Sequence, residues 1–380
     1  MLPPTTKFPL VFPLLVLLGI SAQYNVLLTL DVKQLRSRGP PGTNGRRALL
    51  DVTEAPPFTS FQVPLPDLVR AYETNIACTD GLIPADQVVN TTADLLVGAG
   101  RNIPKTIHVT GKTKCVTQAF HDNLKYWVSQ MPGYSFYFHD DQAVETLFRS
   151  QSWPLFPQIQ NSFECLRGAG GAAMSDLWRY LVLFQYGGVY ADMDTRPNTL
   201  FNATTITPDM DGFFLIEDQF KILSQYFFAI GPQHPLMFHA IQDVMQRMHA
   251  QVEVGTFNVP VESGPHCLHR AYKAFRGIHD GKNGPWKPTH QPKAGVYYYH
   301  DFKEETSNNS SSNRSITVVG NASTPDQWVI REAFKAQDKN SAWDKMNVSN
   351  YRHMNKKPLE KSCLDLLWEK QHQPEFVRTG

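Results

Sequence analysis

Asp176-Leu177-Trp178-Arg179-Tyr180, followed by Tyr186-Gly187-Gly188-Val189-Tyr190-Ala191-Asp192-Met193-Asp194, is the stretch on which the reading of this 380-residue chain turns. From Ala172 to Tyr186 the apolar residues Leu177, Tyr180, Leu181 and Phe184 recur at helical spacing, and Gly187-Gly188 ends the helix. Val189 to Ala191 is then a brief strand leading into Asp192. Two apart in an extended segment, Asp192 and Asp194 would project to one side while Met193 points into the packing. Such a carboxylate pair suits a hard cation, Mn²⁺ or Mg²⁺, which keeps waters and phosphate oxygens in its shell. Asp176 and Arg179, three apart, are neighbours on the preceding helix and offer a carboxylate and a guanidinium. Taken singly, an Asp-X-Asp is a common solvated turn and an Asp-Arg pair an ordinary helix ion pair. Their combination with the glycine break is what points to a site.

Outward from this stretch, Ile103 to Val109 reads as a buried strand ending at Thr110-Gly111, and a helix follows around Thr117 to Ser129. Pro132-Gly133 makes a turn into a second strand, Tyr134 to Phe138, which ends at Asp140-Asp141. Downstream, Gly212 to Ile216 ends at Glu217-Asp218, and Tyr226 to Ile230 runs into Gly231-Pro232. Strands alternating with helices, with polar residues where strands stop, indicate an α/β sheet with its site at the carboxyl ends.

The Asp-X-X-Arg-Tyr … Gly-Gly-X-Tyr-X-Asp-X-Asp pattern of residues 176–194 resembles the signature of the DXD sugar-binding glycosyltransferases, which include initiation-specific alpha-1,6-mannosyltransferases. Ile103-Pro104-Lys105-Thr106-Ile107-His108 is similar to that family's opening strand. Ala229-Ile230-Gly231-Pro232-Gln233-His234-Pro235 is similar to a stretch ending in Gly-His-Pro, with Gln233 in place of the glycine, and Ser263-Gly264-Pro265 to a Gly-Pro turn. Similarity extends over about Asn102 to Arg270. It implies a GT-A-type, Rossmann-like α/β fold, a nucleotide-sugar donor, Mn²⁺ (or Mg²⁺) and retention at the anomeric carbon. GDP-mannose is the favoured donor and a UDP-hexose the alternative. By the same resemblance Asp194 would ligate the metal, and Asp192 would touch ribose or a metal-bound water. Asp176 and Arg179 would hold donor hydroxyls, while His108, Val109 and Thr110 would border the nucleotide. Glu217 and Asp218 are candidates for orienting the acceptor, and His353 for completing the metal shell. The metal would stabilise the charge that develops on the departing nucleoside diphosphate. His300, Lys356 and Lys357 are weaker candidates, read more simply as a strand end and a solvated charge run.

Composition bounds the partners. Lys and Arg total 36 against 35 Asp and Glu, so no overall field attracts a nucleic acid, and a hydrophobic fraction of 42% supports a sizeable core. Residues 1–7 are expected as a cytoplasmic tail and 8–30 as a signal anchor, or else a cleaved signal peptide ending near Ala22. Residues 31–100 are expected as a stem and lead-in, and 101–375 as the catalytic domain with a sequon-rich loop at 303–323. Asn-X-Ser/Thr acceptors at Asn90, Asn202, Asn308, Asn309, Asn313, Asn321 and Asn347 suit a lumen. Five dispersed cysteines suit one or two disulfides and a free thiol. The expected setting is thus the Golgi membrane with a luminal catalytic domain, or secretion after cleavage, and a glycan or glycoprotein acceptor. Two rival readings remain open: an inactive luminal binding module, and a metal-dependent phosphohydrolase using the same Asp pair.

Overall fold

Along the strands, alternate side chains enter two different cores, and that alternation generates a three-layer α/β architecture. The computed structural model describes residues 63–89, 101–150, 153–169, 171–217, 221–250, 258–276, 295–298, 315–320 and 329–348. In chain order the elements are α1 (Leu65–Leu68), β1 (Ile83–Pro84), β2 (Thr106–Thr110), β3 (Cys115–Val116), α2 (Gln118–Gln130), β4 (Ser135–His139), α3 (Asp141–Arg149), α4 (Ile159–Ala169), α5 (Gly171–Tyr186), β5 (Gly188–Ala191) and β6 (Thr195–Pro197). They continue with β7 (Met210–Glu217), β8 (Ile222–Ile230), α6 (Pro235–Ala250), α7 (Val259–Glu262), α8 (Pro265–Phe275), β9 (Gly295–Tyr298), β10 (Ser315–Gly320), β11 (Ile330–Glu332) and α9 (Ala336–Lys345). Among the described residues the main sheet has seven strands in the order β4-β2-β5-β8-β7-β10-β9. It is mixed: β2 is parallel to β4 and β5, β10 is parallel to β7, and β8 runs antiparallel to both β5 and β7.

Tyr190, Phe214 and Phe228 face a core shared with Leu177 and Leu181 of α5, Ile241 and Val244 of α6, and Leu268 of α8. Their neighbours Val189, Ala191, Phe213 and Phe227 face the opposite core, closed by Phe120, Leu124 and Trp127 of α2 and Ala342 of α9. The α5–β5 junction depends on two glycines. Gly187 has φ +65° and Gly188 φ +104°, and a Cβ on Gly188 would lie 2.1 Å from Thr106 Oγ1. The pair therefore ends α5, where the Gly187 N–H donates to Leu183 O, and lets β5 approach β2.

Residues 63–89, within the stretch expected as stem and lead-in, pack on the domain: Leu68 and Val69 enter the core, β1 pairs with β3, and a Cys78–Cys115 disulfide joins the lead-in to β3. Within the stretch expected as a sequon-rich loop, Ser315–Gly320 is β10, an interior strand whose Ile316 and Val318 are buried. Alternating β-branched residues between two sequons carried a strand. Cys165 is also disulfide-bonded and Cys267 is a buried free thiol. Among the described residues no helix is long and apolar enough to cross a membrane; the segment expected as an anchor lies outside them.

Gln233, which replaces the glycine of the similar stretch, adopts φ +57°, and its N–H donates to Phe184 O at 2.7 Å. A left-handed backbone costs a residue with a Cβ about 1–2 kcal/mol, part of which glycine's greater unfolded freedom cancels. Gln233→Gly is expected to stabilise the protein by about 0.5–1 kcal/mol, read as a rise in Tm. Two buried histidines make a second expectation. His108 Nε2–H donates to Gly187 O at 2.9 Å, leaving His108 Nδ1 to accept from His139 Nε2–H at 3.1 Å, so both rings are neutral. Burial pushes His108 down to about 4, against the pull of its Gly187 bond, and lowers His139 well below the usual range. The unfolded chain takes up these protons below pH 6.5 and the folded chain does not. Stability is then complete above pH 6.5 and declines toward pH 4, by about 3 kcal/mol from His108 alone. Thermal melts across that window should show the decline, with a shallower slope in His108→Gln.

Candidate active site

Beyond Ala191 the chain turns instead of continuing as a strand. The Thr195 N–H donates to Asp192 O at 3.0 Å and the Thr195 hydroxyl to the same oxygen at 2.7 Å. Asp192 and Asp194 therefore stand on a four-residue turn at the carboxyl end of β5, not on the extended segment expected. Thr195 is the physical reason, since it directs two donors at one carbonyl. Met193 does point into the packing, at 2% exposure.

Helix α2 holds this turn from below. Asn123 Nδ2 donates to Met193 O at 2.9 Å and to Thr195 O at 2.8 Å, while Trp127 Nε1 donates to Thr195 O at 2.7 Å. Asn123 Oδ1 accepts from Arg196 Nε at 2.9 Å. Sequence reasoning missed both residues. Their one signal is the i,i+4 spacing of two N–H donors on an otherwise apolar helix face. From the other side, β11 pairs antiparallel with β6, and the Ala333 N–H donates to Asp194 O at 2.8 Å. This brings Lys339 of α9 to Asp194, Nζ to Oδ2 at 2.5 Å. Burial disfavours the Lys339 ammonium, but Asp194 more than offsets it, and the pKa is raised.

Asp176 and Arg179 are buried, so the ordinary exposed ion pair is excluded. Arg179 Nη2 lies 3.2 Å from Asp176 Oδ1, and Nη1 donates to Gln225 O at 2.9 Å and lies 3.6 Å from Asp192 Oδ1. The guanidinium also covers the Tyr190 ring at 4.4 Å, and the Tyr190 hydroxyl donates to Asp192 Oδ1 at 2.5 Å. Ser263, beyond α7, donates to Asp176 Oδ2 at 2.8 Å. Burial raises Asp176 to about 6, with Arg179 and Ser263 pulling the other way. Burial also raises Asp192, against Arg179 and with the help of neighbouring Asp194. The Asp192 side chain nevertheless keeps 33% of its surface exposed, which leaves it able to meet a ligand.

These residues fit a hard divalent cation. Asp194 already draws an ammonium and Asp192 is partly open beside it, so the pair would hold such a cation, with waters and phosphate oxygens supplying its other ligands. Among the described residues no third His, Cys, Asp or Glu joins them.

The remaining candidates are placed differently. His108 has both ring nitrogens engaged internally and Val109 is fully buried, so neither side chain borders a ligand space; alternation along β2 turns both inward. Thr110 is partly exposed and donates to His139 O at 3.0 Å. Glu217 ends β7 opposite Ile222, with its pKa raised by burial, and no hydrogen bond or ion pair joins it to Asp176, Arg179, Asp192 or Asp194. Asp218, His300, His353, Lys356 and Lys357 lie outside the described residues.

Asn123→Ala would leave the buried Met193 carbonyl without a donor, at a cost of about 1–3 kcal/mol. Denaturant unfolding is expected to show that loss, and a Mn²⁺ titration a weaker grip, because the turn carrying both carboxylates loosens.

Residues 117–210 match the family described as "Glycosyltransferase sugar-binding region containing DXD motif". Inositol phosphoceramide mannosyltransferase 1 of Schizosaccharomyces pombe is 25% identical over 160 residues, covering 40% of this chain and 46% of the relative. Inositol phosphoceramide mannosyltransferase 3 of the same yeast is 21% identical over 201 residues, 53% of each chain. Mannosyl phosphorylinositol ceramide synthase CSH1 of Saccharomyces cerevisiae is 30% identical over 92 residues, covering 24% and 23%. The chain thus spans about half or less of the length of these relatives. Among solved structures, PaToxG Glycosyltransferase aligns at 18% identity with a TM-score of 0.36, over 46% of this chain and 69% of that one. The turn that bears Asp192 and Asp194 and the helix that bears Asp176 and Arg179 fall inside the segment, residues 117–210, that matches this family.

Proposed function

We propose that this chain is a metal-dependent, retaining glycosyltransferase of GT-A type that moves a hexose, most simply mannose, from a nucleotide sugar to an acceptor in the secretory pathway. The observation that carries this reading is the buried Asp176–Arg179–Asp192 cluster ending at a half-open carboxylate pair, at the carboxyl end of a sheet strand. Asp192 and Asp194 would hold Mn²⁺ or Mg²⁺, which when bound stabilises the charge of the departing diphosphate.

The protein's own groups do the rest. Arg179, fixed by Gln225 O and Asp176, sets the orientation of Asp192, and the Tyr190 hydroxyl donates to the same carboxylate oxygen, Oδ1. Asp176 is held by Ser263 and Arg179 and keeps lone pairs for a donor hydroxyl. Preorganisation by buried partners means the site does not reorganise as charge develops. No covalent nucleophile is assigned, because a front-face departure assisted by the leaving phosphate needs none. The acceptor class rests on two kinds of support: the sequons and disulfides suit a luminal glycan or glycoprotein acceptor, and the names of the yeast relatives add an inositol phosphoceramide. The sequons and disulfides also support a luminal setting, at the Golgi membrane or after secretion.

Donor turnover with GDP-mannose, UDP-glucose, UDP-galactose and UDP-N-acetylglucosamine, each with MnCl₂, tests the proposal. One donor is expected to be turned over by the wild type, and Asp194→Asn to reduce that rate by roughly 10²-fold or more. Turnover of none, or a rate indifferent to Asp194, would sink the transferase reading. Release of inorganic phosphate from a simple phosphoester by the same Asp pair would favour the phosphohydrolase.

A further inference from the structure

Lys339 stands where a cation bound to Asp194 would compete with it. Its Nζ is 2.5 Å from Asp194 Oδ2 and 3.8 Å from Glu332 Oε1, and the Lys339 side chain is 27% exposed against 11% for Asp194. The ammonium is held there by structure, since β11 pairs with β6 directly after Asp194 and the Ala333 N–H donates to Asp194 O. A divalent ion coordinating Asp194 cannot share that oxygen with a charge-assisted hydrogen bond of this length without strong repulsion between the two cations.

Charge balance gives the displacement a direction. Asp176, Asp192, Asp194 and Glu332 face Arg179 and Lys339, which leaves two negative charges in excess; a dication cancels them. A diphosphate diester carries two negative charges, so the carboxylates repel it until a dication has offset them and Lys339 is free to meet it.

We propose that Lys339 competes with the divalent cation for Asp194 and, once displaced, offers its charge to the donor diphosphate, so that metal and nucleotide bind as a pair. This rests on the glycosyltransferase reading above. It makes Lys339 a positioning residue at the donor subsite and couples α9 to donor loading.

Binding to the full chain tests it without turnover. Free Mn²⁺ would be measured by its electron paramagnetic resonance signal, and GDP and UDP affinity by calorimetry at saturating Mn²⁺. Lys339→Met is expected to bind Mn²⁺ alone about tenfold more tightly and the nucleoside diphosphate about tenfold more weakly. Lys339→Arg should recover the nucleotide affinity. Glu332→Gln, which leaves Lys339 to Asp194 alone, should weaken binding of Mn²⁺ alone about threefold, and it supplies the test if Lys339→Met does not fold. A purely structural lysine would weaken both ligands in Lys339→Met or change neither, and either result overturns the proposal. If wild type binds neither Mn²⁺ nor GDP nor UDP, the glycosyltransferase reading falls with it. Wild-type binding with an unchanged Lys339→Met removes this inference alone.

Discussion

The Arg179 guanidinium is the point through which the site is assembled. It is buried, and a buried cation is tolerable only when its donors are matched by acceptors. Here those acceptors come from three places: Asp176 one turn earlier on α5, the Gln225 carbonyl on β8, and Asp192 after β5. Satisfying one charged side chain therefore fixes the helix, two strands and the carboxylate turn relative to one another. Tyr190 adds an aromatic face and a hydroxyl to the same purpose. Desolvation would otherwise favour neutral carboxyls at this place, and the guanidinium is the main force keeping them anionic.

Much of this was visible before the fold was known. Helical spacing, the paired glycines and the short strand were local signals, and the strands and helices on both flanks followed from alternation and turn residues. The geometry of Asp192-Met193-Asp194 was not visible, because the turn depends on Thr195 turning back on Asp192 O and on Asn123 and Trp127, some seventy residues away in sequence, gripping it from α2. The family resemblance implied that His108 borders the nucleotide. Only the approach of β4 and Gly187 shows that its ring is consumed by internal hydrogen bonds.

The packing of the lead-in and of β10 was not legible for related reasons. A disulfide commits residues 63–89 to the domain, and no rule of periodicity reports which cysteines will meet. β10 is short and flanked by acceptors for glycans, so its local composition argued for exposure while its neighbours in space, β7 and β9, buried it. Lys339 was one lysine among many until β11 laid it against Asp194. Each of these is a long-range pairing, the class of information that a window of sequence does not contain.

The order of the central strands has a consequence for how the family segment should be understood. β5, which presents the signature, lies between β2 and β8, and neither of those strands belongs to residues 117–210. Cut at residues 117 and 210, the segment would leave β5 with two bare edges, open to pairing with another chain. Residues 117–210 are thus one part of a larger weave, and the unit that must be expressed or engineered intact is the whole sheet.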